Sequence, residues 1–285
     1  MPHSIQQLVV EDSGKLATVL TLDTASARLE VQYLLQYALQ KPRAWLLAHS
    51  EQQLTSDQWT IYEKLLQRRL QGEPVAYILG EREFFGLKFK VTPATLIPRP
   101  ETELLVELAL ERIPLRQKWS VLDLGTGSGA IALSIAHSRP EAEVTAVDAS
   151  LEALAIAKEN AQRLDIHNAR FMHSSWFSGL AGQRFDLVVS NPPYVAENDP
   201  HLQQGDLPFE PRSALASGME GLDDIRHIAA GVSEHLHSEG WLLLEHGYDQ
   251  SERVRELLHK AGMAAVFSAR DLSGIERVSG GQKQP

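Results

Sequence analysis

Between Trp119 and Asp148 the chain passes through an apolar strand, a glycine-rich turn, a helix and a second strand closed by an acidic residue, and that order leaves few folds open. Trp119 to Leu124 reads as a buried strand. Asp123-Leu124-Gly125-Thr126-Gly127-Ser128-Gly129-Ala130-Ile131-Ala132 is the turn that opens a helix, where glycines let the backbone approach a cofactor and leave helix N–H groups free to meet it. The strand Glu143-Val144-Thr145-Ala146-Val147 ends on Asp148, placed to accept hydrogen bonds from two ribose hydroxyls. A nucleoside cofactor follows from this order. Gly125, Gly127 and Ala130 also satisfy the dinucleotide spacing, so the stretch alone leaves NAD and S-adenosylmethionine both open.

A second feature separates them. Phe185-Asp186-Leu187-Val188-Val189-Ser190 reads as a strand buried on both faces, and it stops on Asn191-Pro192-Pro193-Tyr194 because two prolines cannot continue a ladder. The prolines lack N–H groups and have fixed φ, so the corner is stiff and presents carbonyl oxygens beside an Asn side chain that can accept or donate. A planar NH2 group suits it, giving one proton to the Asn191 side-chain oxygen and one to the Pro192 carbonyl, its plane against the Tyr194 ring. Asn-Pro-Pro-Tyr is similar to the signature of methyltransferases that use S-adenosylmethionine to modify nitrogen conjugated to a π system. That resemblance favours S-adenosylmethionine over NAD.

Residues 1–75 read as a small helical domain. Ala27, Val31, Leu34, Leu35, Ala38 and Leu39 share one helix face behind a cap at Asp23 or Thr24, and Thr55 to Gln58 fits a capping box ahead of the stripe Trp59, Tyr62, Leu65, Leu66 and Leu70. Such stripes mean a bundle core, so this domain carries no chemistry of its own and is expected to recognise the substrate. Residues 76–100 read as a β-hairpin linker built from Tyr77-Ile78-Leu79, Phe84-Phe85-Gly86 and the alternating Leu87 to Val91. Residues 101–285 form the α/β domain. Its first helix opens on the rigid segment Ile97-Pro98-Arg99-Pro100-Glu101-Thr102-Glu103, where Glu101 and Glu103 suit the helix dipole. An apolar pair before a stiff turn can equally line a substrate pocket, and Ile97, Arg99 and Glu101 are the candidates there. Residues 195 to about 220 form a loop long enough to serve as a lid or substrate contact. A helix from Ile225 to Leu236, bearing His235, leads to the strand Trp241 to Glu245, and two strands around Ala264 to Ala269 and Glu276 to Ser279 close the chain. Glu245-His246-Gly247 reads as a structural strand end and not as a metal or acid/base site.

Composition removes whole classes of function. No apolar run approaches the roughly 18 residues that span a bilayer, and the N-terminus lacks the basic region and apolar core of a signal peptide, so a cytoplasmic protein with no membrane partner is expected. The absence of cysteine excludes disulfides and thiolate metal sites, and the histidines are scattered without a ligand-like grouping, so no metal is expected. A net charge of −10 argues against a nucleic-acid polyanion as partner.

Taken with the glycine turn, Ile97-Pro98-Arg99-Pro100-Glu101-Thr102 and Asn191-Pro192-Pro193-Tyr194 together resemble the release factor glutamine methyltransferase family, and the resemblance covers nearly the whole chain. That family methylates the amide nitrogen of the Gln in the Gly-Gly-Gln motif of bacterial class 1 peptide chain release factors. The resemblance implies a class I methyltransferase domain, with a Rossmann-like seven-stranded sheet whose last strand is antiparallel, behind a helical N-terminal domain and a hairpin linker. It implies the use of S-adenosyl-L-methionine and the release of S-adenosyl-L-homocysteine; a monomer is expected, although the sequence does not fix the oligomeric state. Gly125, Thr126, Gly127 and Gly129 would approach the methionine part of the cofactor, Asp148 its ribose and Trp176 its adenine. Asn191 would bridge cofactor and substrate amide, with Pro192 and Tyr194 sharing the catalytic role and Pro193 completing the substrate corner. One departure is Ser175, where the family commonly has an Asp able to meet the adenine amino group. The alternative is a DNA or RNA amino-methyltransferase acting on adenine N6 or guanine N2, which would use the same corner but also need a basic groove. The tail Gly280-Gly281-Gln282 repeats the tripeptide this family methylates, in what reads as a frayed end; self-methylation or occupancy of the active site by the tail is one reading and coincidence the other.

Overall fold

Among the described residues up to position 80, apolar spacing near 3.6 residues gives helices and no strand element. In the computed structural model, which describes residues 3–285, they are α1 (Ile5–Leu20), α2 (Thr24–Leu39), α3 (Arg43–Ala48), α4 (Ser56–Leu70) and α5 (Val75–Leu79). Asp23 caps α2 through the Ala25 and Ser26 amides, and Thr55 with Gln58 closes a capping box on α4. The stripes meet in one core, in which Leu16, Val31, Leu34, Leu35 and Tyr62 are fully buried. The buried Tyr62 hydroxyl is satisfied by Asp12 Oδ2 at 2.7 Å, which removes the cost of hiding it. Residues 203–209 of the long loop belong to this unit, where the buried Arg69 guanidinium bridges Glu30 and Asp206. Tyr77-Ile78-Leu79, expected as hairpin, lies instead in α5: three apolar residues carry no period, and Pro74 ahead of Val75 starts a helical turn.

The second unit begins with the antiparallel pair β1 (Glu81–Phe84) and β2 (Leu87–Lys90), joined by the two-residue turn Phe85-Gly86. There follow α6 (Glu103–Arg112), β3 (Ser120–Leu124), α7 (Ala130–Ser138), β4 (Glu143–Asp148), α8 (Leu151–Arg163), β5 (Ala169–His173), β6 (Phe185–Ser190), α9 (Asp223–Gly231), β7 (Leu236–Glu245), α10 (Ser251–Lys260), β8 (Met263–Arg270) and β9 (Glu276–Lys283). The strands form one seven-stranded sheet in the order β5-β4-β3-β6-β7-β9-β8, with β9 antiparallel to both its neighbours. This is the α/β class I methyltransferase architecture. Strand residues alternate between two cores: Val121, Leu187, Val189 and Leu243 pack with α6 and α7, while Leu122, Leu124, Val188 and Leu244 pack with α9 and α10. Both faces are covered, which accounts for continuous apolar runs in place of alternation.

Two expectations fail near the C-terminus. The helix expected to reach Leu236 ends at Gly231, and His235 lies buried in the turn before β7, stacked on Phe177 at 4.5 Å between ring centroids. Gly280-Gly281-Gln282 is no frayed end. It lies inside β9, where Gln282 pairs with Trp241 and Ala264 and its side chain donates to the Glu239 carbonyl. A Cβ on Gly280 would stand 2.6 Å from Leu243 Cδ2 and 2.7 Å from the Phe267 ring, so glycine is required for the strand to pass between them.

Candidate active site

The order of the strands reverses at β3: β4 and β5 continue to one side, β6 and β7 to the other. Such a switch point opens a crevice beyond the carboxyl ends of the two central strands. The glycine turn leaves β3 on one lip of it and the Asn191 corner leaves β6 on the other, with Leu124 and Ser190 paired across the ladder and the Ser190 hydroxyl donating to the Leu124 carbonyl at 2.7 Å.

On the β3 side Gly125, Gly127 and Gly129 all take positive φ (73°, 56° and 83°), the left-handed region that favours glycine, and the amides of Gly125, Thr126, Gly127 and Gly129 are all engaged within the turn or at the end of β4. The Gly125 and Thr126 amides donate to the Val147 carbonyl, each at 2.9 Å, which folds the turn against the end of β4. Asp148 is half-buried there; its two oxygens accept from the Gly127 and Ser150 amides, both at 2.8 Å. A carboxylate has about four acceptor positions, so Asp148 keeps capacity for further donors. A Cβ on Gly127 would meet nothing within 4 Å, and one on Gly125 would stand 3.5 Å from the Trp176 ring. The open space beside Gly127, the Asp148 carboxylate and the Trp176 indole next to Gly125 are groups that could hold a nucleoside. Ser175 is exposed, with its carbonyl taken by the Ser178 amide. Asp123, below the turn, is fully buried and holds the Thr126 hydroxyl at 2.6 Å. Burial pushes its carboxyl up to about 7, against the pull of the Thr126 hydrogen bond.

On the β6 side the Asn191 side-chain NH2 donates to Thr102 Oγ1 at 3.2 Å. Among the described residues no donor reaches the Asn191 side-chain oxygen or the Pro192 carbonyl. The Tyr194 hydroxyl donates to Glu245 Oε1 at 3.2 Å, while its carbonyl accepts from the Gln250 side chain at 2.9 Å. Burial, together with the Glu245 charge, pushes the Tyr194 phenol far above its ordinary range, so it stays protonated and remains a donor. Glu245, at the end of β7, is 1% exposed, and burial pushes its carboxyl up to about 7. The Thr102 hydroxyl lies beside this carboxyl and favours its charged form, as Tyr194 and Arg277 do, while among the described residues Oε2 has no hydrogen-bond partner.

The structure therefore brings together two groups of the residues expected from sequence: Gly125, Thr126, Gly127, Gly129, Asp148 and Trp176 on one lip, Asn191 to Tyr194 on the other. The segment ahead of α6 behaves differently. Ile97 is buried and its amide donates to Glu210 at 2.9 Å; Arg99 is ion-paired with the same carboxylate; Glu101 is exposed. Its direct link to the corner is Thr102, to which the sequence alone assigns no role; it assigns none to Asp123 either and gives Glu245 only a structural one. A buried Thr inside a proline-flanked turn and an acid closing an apolar strand were the available signals.

Two family models match the chain: the methyltransferase small domain over residues 101–206 and the PrmC N-terminal domain over residues 17–80. The release factor glutamine methyltransferase of Salmonella typhimurium is 49% identical over 92% of this chain and 95% of its own length. The one from Vibrio cholerae is 52% identical over 90% of each. A solved methyltransferase from Pyrococcus furiosus shares the fold, with a TM-score of 0.55 at 20% identity over 78% of this chain and 100% of its own.

Proposed function

This chain belongs to the release factor glutamine methyltransferase family, and we propose that it moves a methyl group from S-adenosyl-L-methionine to the side-chain amide nitrogen (N5) of the glutamine in the Gly-Gly-Gln motif of class 1 peptide chain release factors. The observation that carries the reading is the pair of donor-free acceptors at the corner, Asn191 Oδ1 and the Pro192 carbonyl, set across the ladder from the glycine turn. A primary amide has two N–H groups to give, and here are two acceptors to take them. Gly125, Thr126, Gly127 and Gly129 would hold the amino-acid end of the cofactor, Asp148 its ribose and Trp176 its adenine. The bound cofactor supplies an electrophilic methyl and leaves as S-adenosyl-L-homocysteine.

What the chain's own residues add is position. An amide nitrogen is a poor nucleophile because its lone pair is delocalised into the carbonyl. Accepting both of its N–H bonds fixes the plane of the amide and returns electron density to nitrogen, and positioning of this kind carries the rate. The Tyr194 ring, tethered through its hydroxyl, offers a π face that favours the cationic methyl by about 0.5 to 2 kcal/mol. Pro193 stiffens the corner. The scheme needs no strong base, since the product can lose its proton to water.

The substrate partner falls to the helical unit, whose stripes account only for its own core while every cofactor element lies beyond residue 120. Among the described residues no helix is long and apolar enough to cross a membrane, and a release factor substrate puts the reaction in the cytoplasm. The net charge of −10 weighs against a DNA or RNA substrate at the same corner.

Asn191→Ala tests the reading. It removes one acceptor and leaves the glycine turn and Asp148 in place, so binding and chemistry should separate. We expect near-normal cofactor affinity by calorimetry and single-turnover methyl transfer to release factor slowed at least about 100-fold. Transfer close to the wild-type rate would reduce the corner to a strand exit.

A further inference from the structure

We propose that Thr102 and Glu245 are positioning residues that fix which end of the Asn191 amide faces the substrate. The inference rests on the reading of Asn191 Oδ1 as an acceptor for the reacting amide. Asn presents an oxygen at one end and an NH2 at the other, nearly alike in shape, so a corner that must accept requires something to choose between them. Four groups from three separate stretches of chain meet here: Asn191 and Tyr194 from the corner, Thr102 from the turn before α6, and Glu245 from the end of β7.

The choice propagates from the carboxylate. An ionised carboxylate accepts and cannot donate. Tyr194 therefore donates to Glu245, and the carboxyl beside the Thr102 hydroxyl is an acceptor to which its single hydrogen can turn. With its hydrogen committed, Thr102 Oγ1 can only accept, and the end of Asn191 that faces it must be the NH2. Oδ1 is left on the substrate side. The same carboxylate tethers the Tyr194 ring, so both side chains that would touch the reacting nitrogen are referred to one buried anion. The Oε2 atom, buried and without a hydrogen-bond partner among the described residues, marks a group kept at some cost to the fold.

Protonation reverses the sequence. A neutral Glu245 can donate to Thr102, Thr102 can then donate to Asn191, and the amide is free to turn its oxygen inward. The groups facing the carboxyl are Thr102, Tyr194, Arg277 of β9 and Glu101; His246, its neighbour in the chain, is engaged by the Gly247 carbonyl and the Ser279 hydroxyl. Burial holds Glu245 near neutrality, so the switch falls within the working range.

The full-length chain is assayed with labelled S-adenosylmethionine and purified release factor. Thr102→Val keeps shape and loses the hydroxyl: single-turnover transfer should fall about 10- to 100-fold with the cofactor Kd within about twofold of wild type, and Thr102→Ser should recover most of the rate. Wild-type transfer should fall about tenfold per pH unit below about pH 7, and Glu245→Gln should be slow at every pH and lack that acid limb. Thr102→Val at the wild-type rate, or a loss that Ser does not repair, overturns the proposal. So does an acid limb that persists in Glu245→Gln, which would assign it to Asp123. A wild-type chain that leaves release factor unmodified fails the parent reading instead, whatever the variants do.

Discussion

Asp148 shows how a side chain can serve the fold and a ligand at once. It holds the glycine turn and the start of α8 through two backbone amides, and those bonds aim its remaining acceptor positions outward. Asp148→Ala should therefore have two separable effects. The cofactor Kd should weaken by about 1.5 to 3 kcal/mol, the range for hydrogen bonds to a charged acceptor, and the turn should loosen because the Gly127 and Ser150 amides lose their partner. Calorimetry with S-adenosylmethionine beside a thermal melt reads both; an unchanged Kd with a lowered melting temperature would make Asp148 purely structural. At this same scale the sequence was only half legible. Asn191 and Asp148 announce themselves because each ends a strand at a break. Thr102 and Glu245 do so only weakly, since the first lies 89 residues from its partner Asn191 and the second 51 from Tyr194, and a Thr in a proline-flanked turn or an acid closing a strand does not name so distant a partner.

At the scale of elements, legibility followed length and period. The stripes of α2 and α4, with their caps, gave those helices, and the strands of the parallel core were plain because burial on both faces leaves unbroken apolar runs. Tyr77-Ile78-Leu79 was too short to show any period. The last strand was hidden for another reason: Ser279-Gly280-Gly281-Gln282 has the composition of a loose tail, yet it is paired on both sides, and large neighbours at Leu243, Met263 and Phe267 are what make glycine fit. Gly280→Ala should destabilise the chain by about 1 to 3 kcal/mol, as overpacking of a tight core position does, read as a lowered denaturation midpoint. A neutral or stabilising result would mean the strand is free to shift. Intact-mass analysis after incubation with S-adenosylmethionine should find no methyl on Gln282, because its backbone is held in the sheet and its amide is bonded to Glu239.

For the whole molecule, the two buried carboxyls set stability against catalysis. Asp123 and Glu245 are each pushed from ordinary values of 3.8 and 4.5 up to about 7 by burial. Between those limits the folded chain keeps protons that the unfolded chain releases, so each carboxyl makes the fold less stable as pH rises from about 4.5 to 7, by about 1.4 kcal/mol per pH unit. Above about 7 both states are ionised and the loss levels off. His246, buried and held below its ordinary 6.5, works in the opposite sense at lower pH, since the unfolded chain gains a proton there that the fold excludes. The carboxyl contribution is therefore best isolated as a difference. Glu245→Gln carries no titrating group, so its denaturation free energy relative to wild type should rise by about 1.4 kcal/mol per pH unit between pH 5 and 7 and be flat above about 7.5. A pH-independent difference would mean that Glu245 keeps its ordinary acidity in the fold. If the difference has the expected slope, wild type is more stable where Glu245 is neutral and, by the relay through Thr102, faster where it is ionised. The optimum for transfer then lies at higher pH than the optimum set by these carboxyls for stability, and Glu245→Gln should remove the Glu245 share of both dependences.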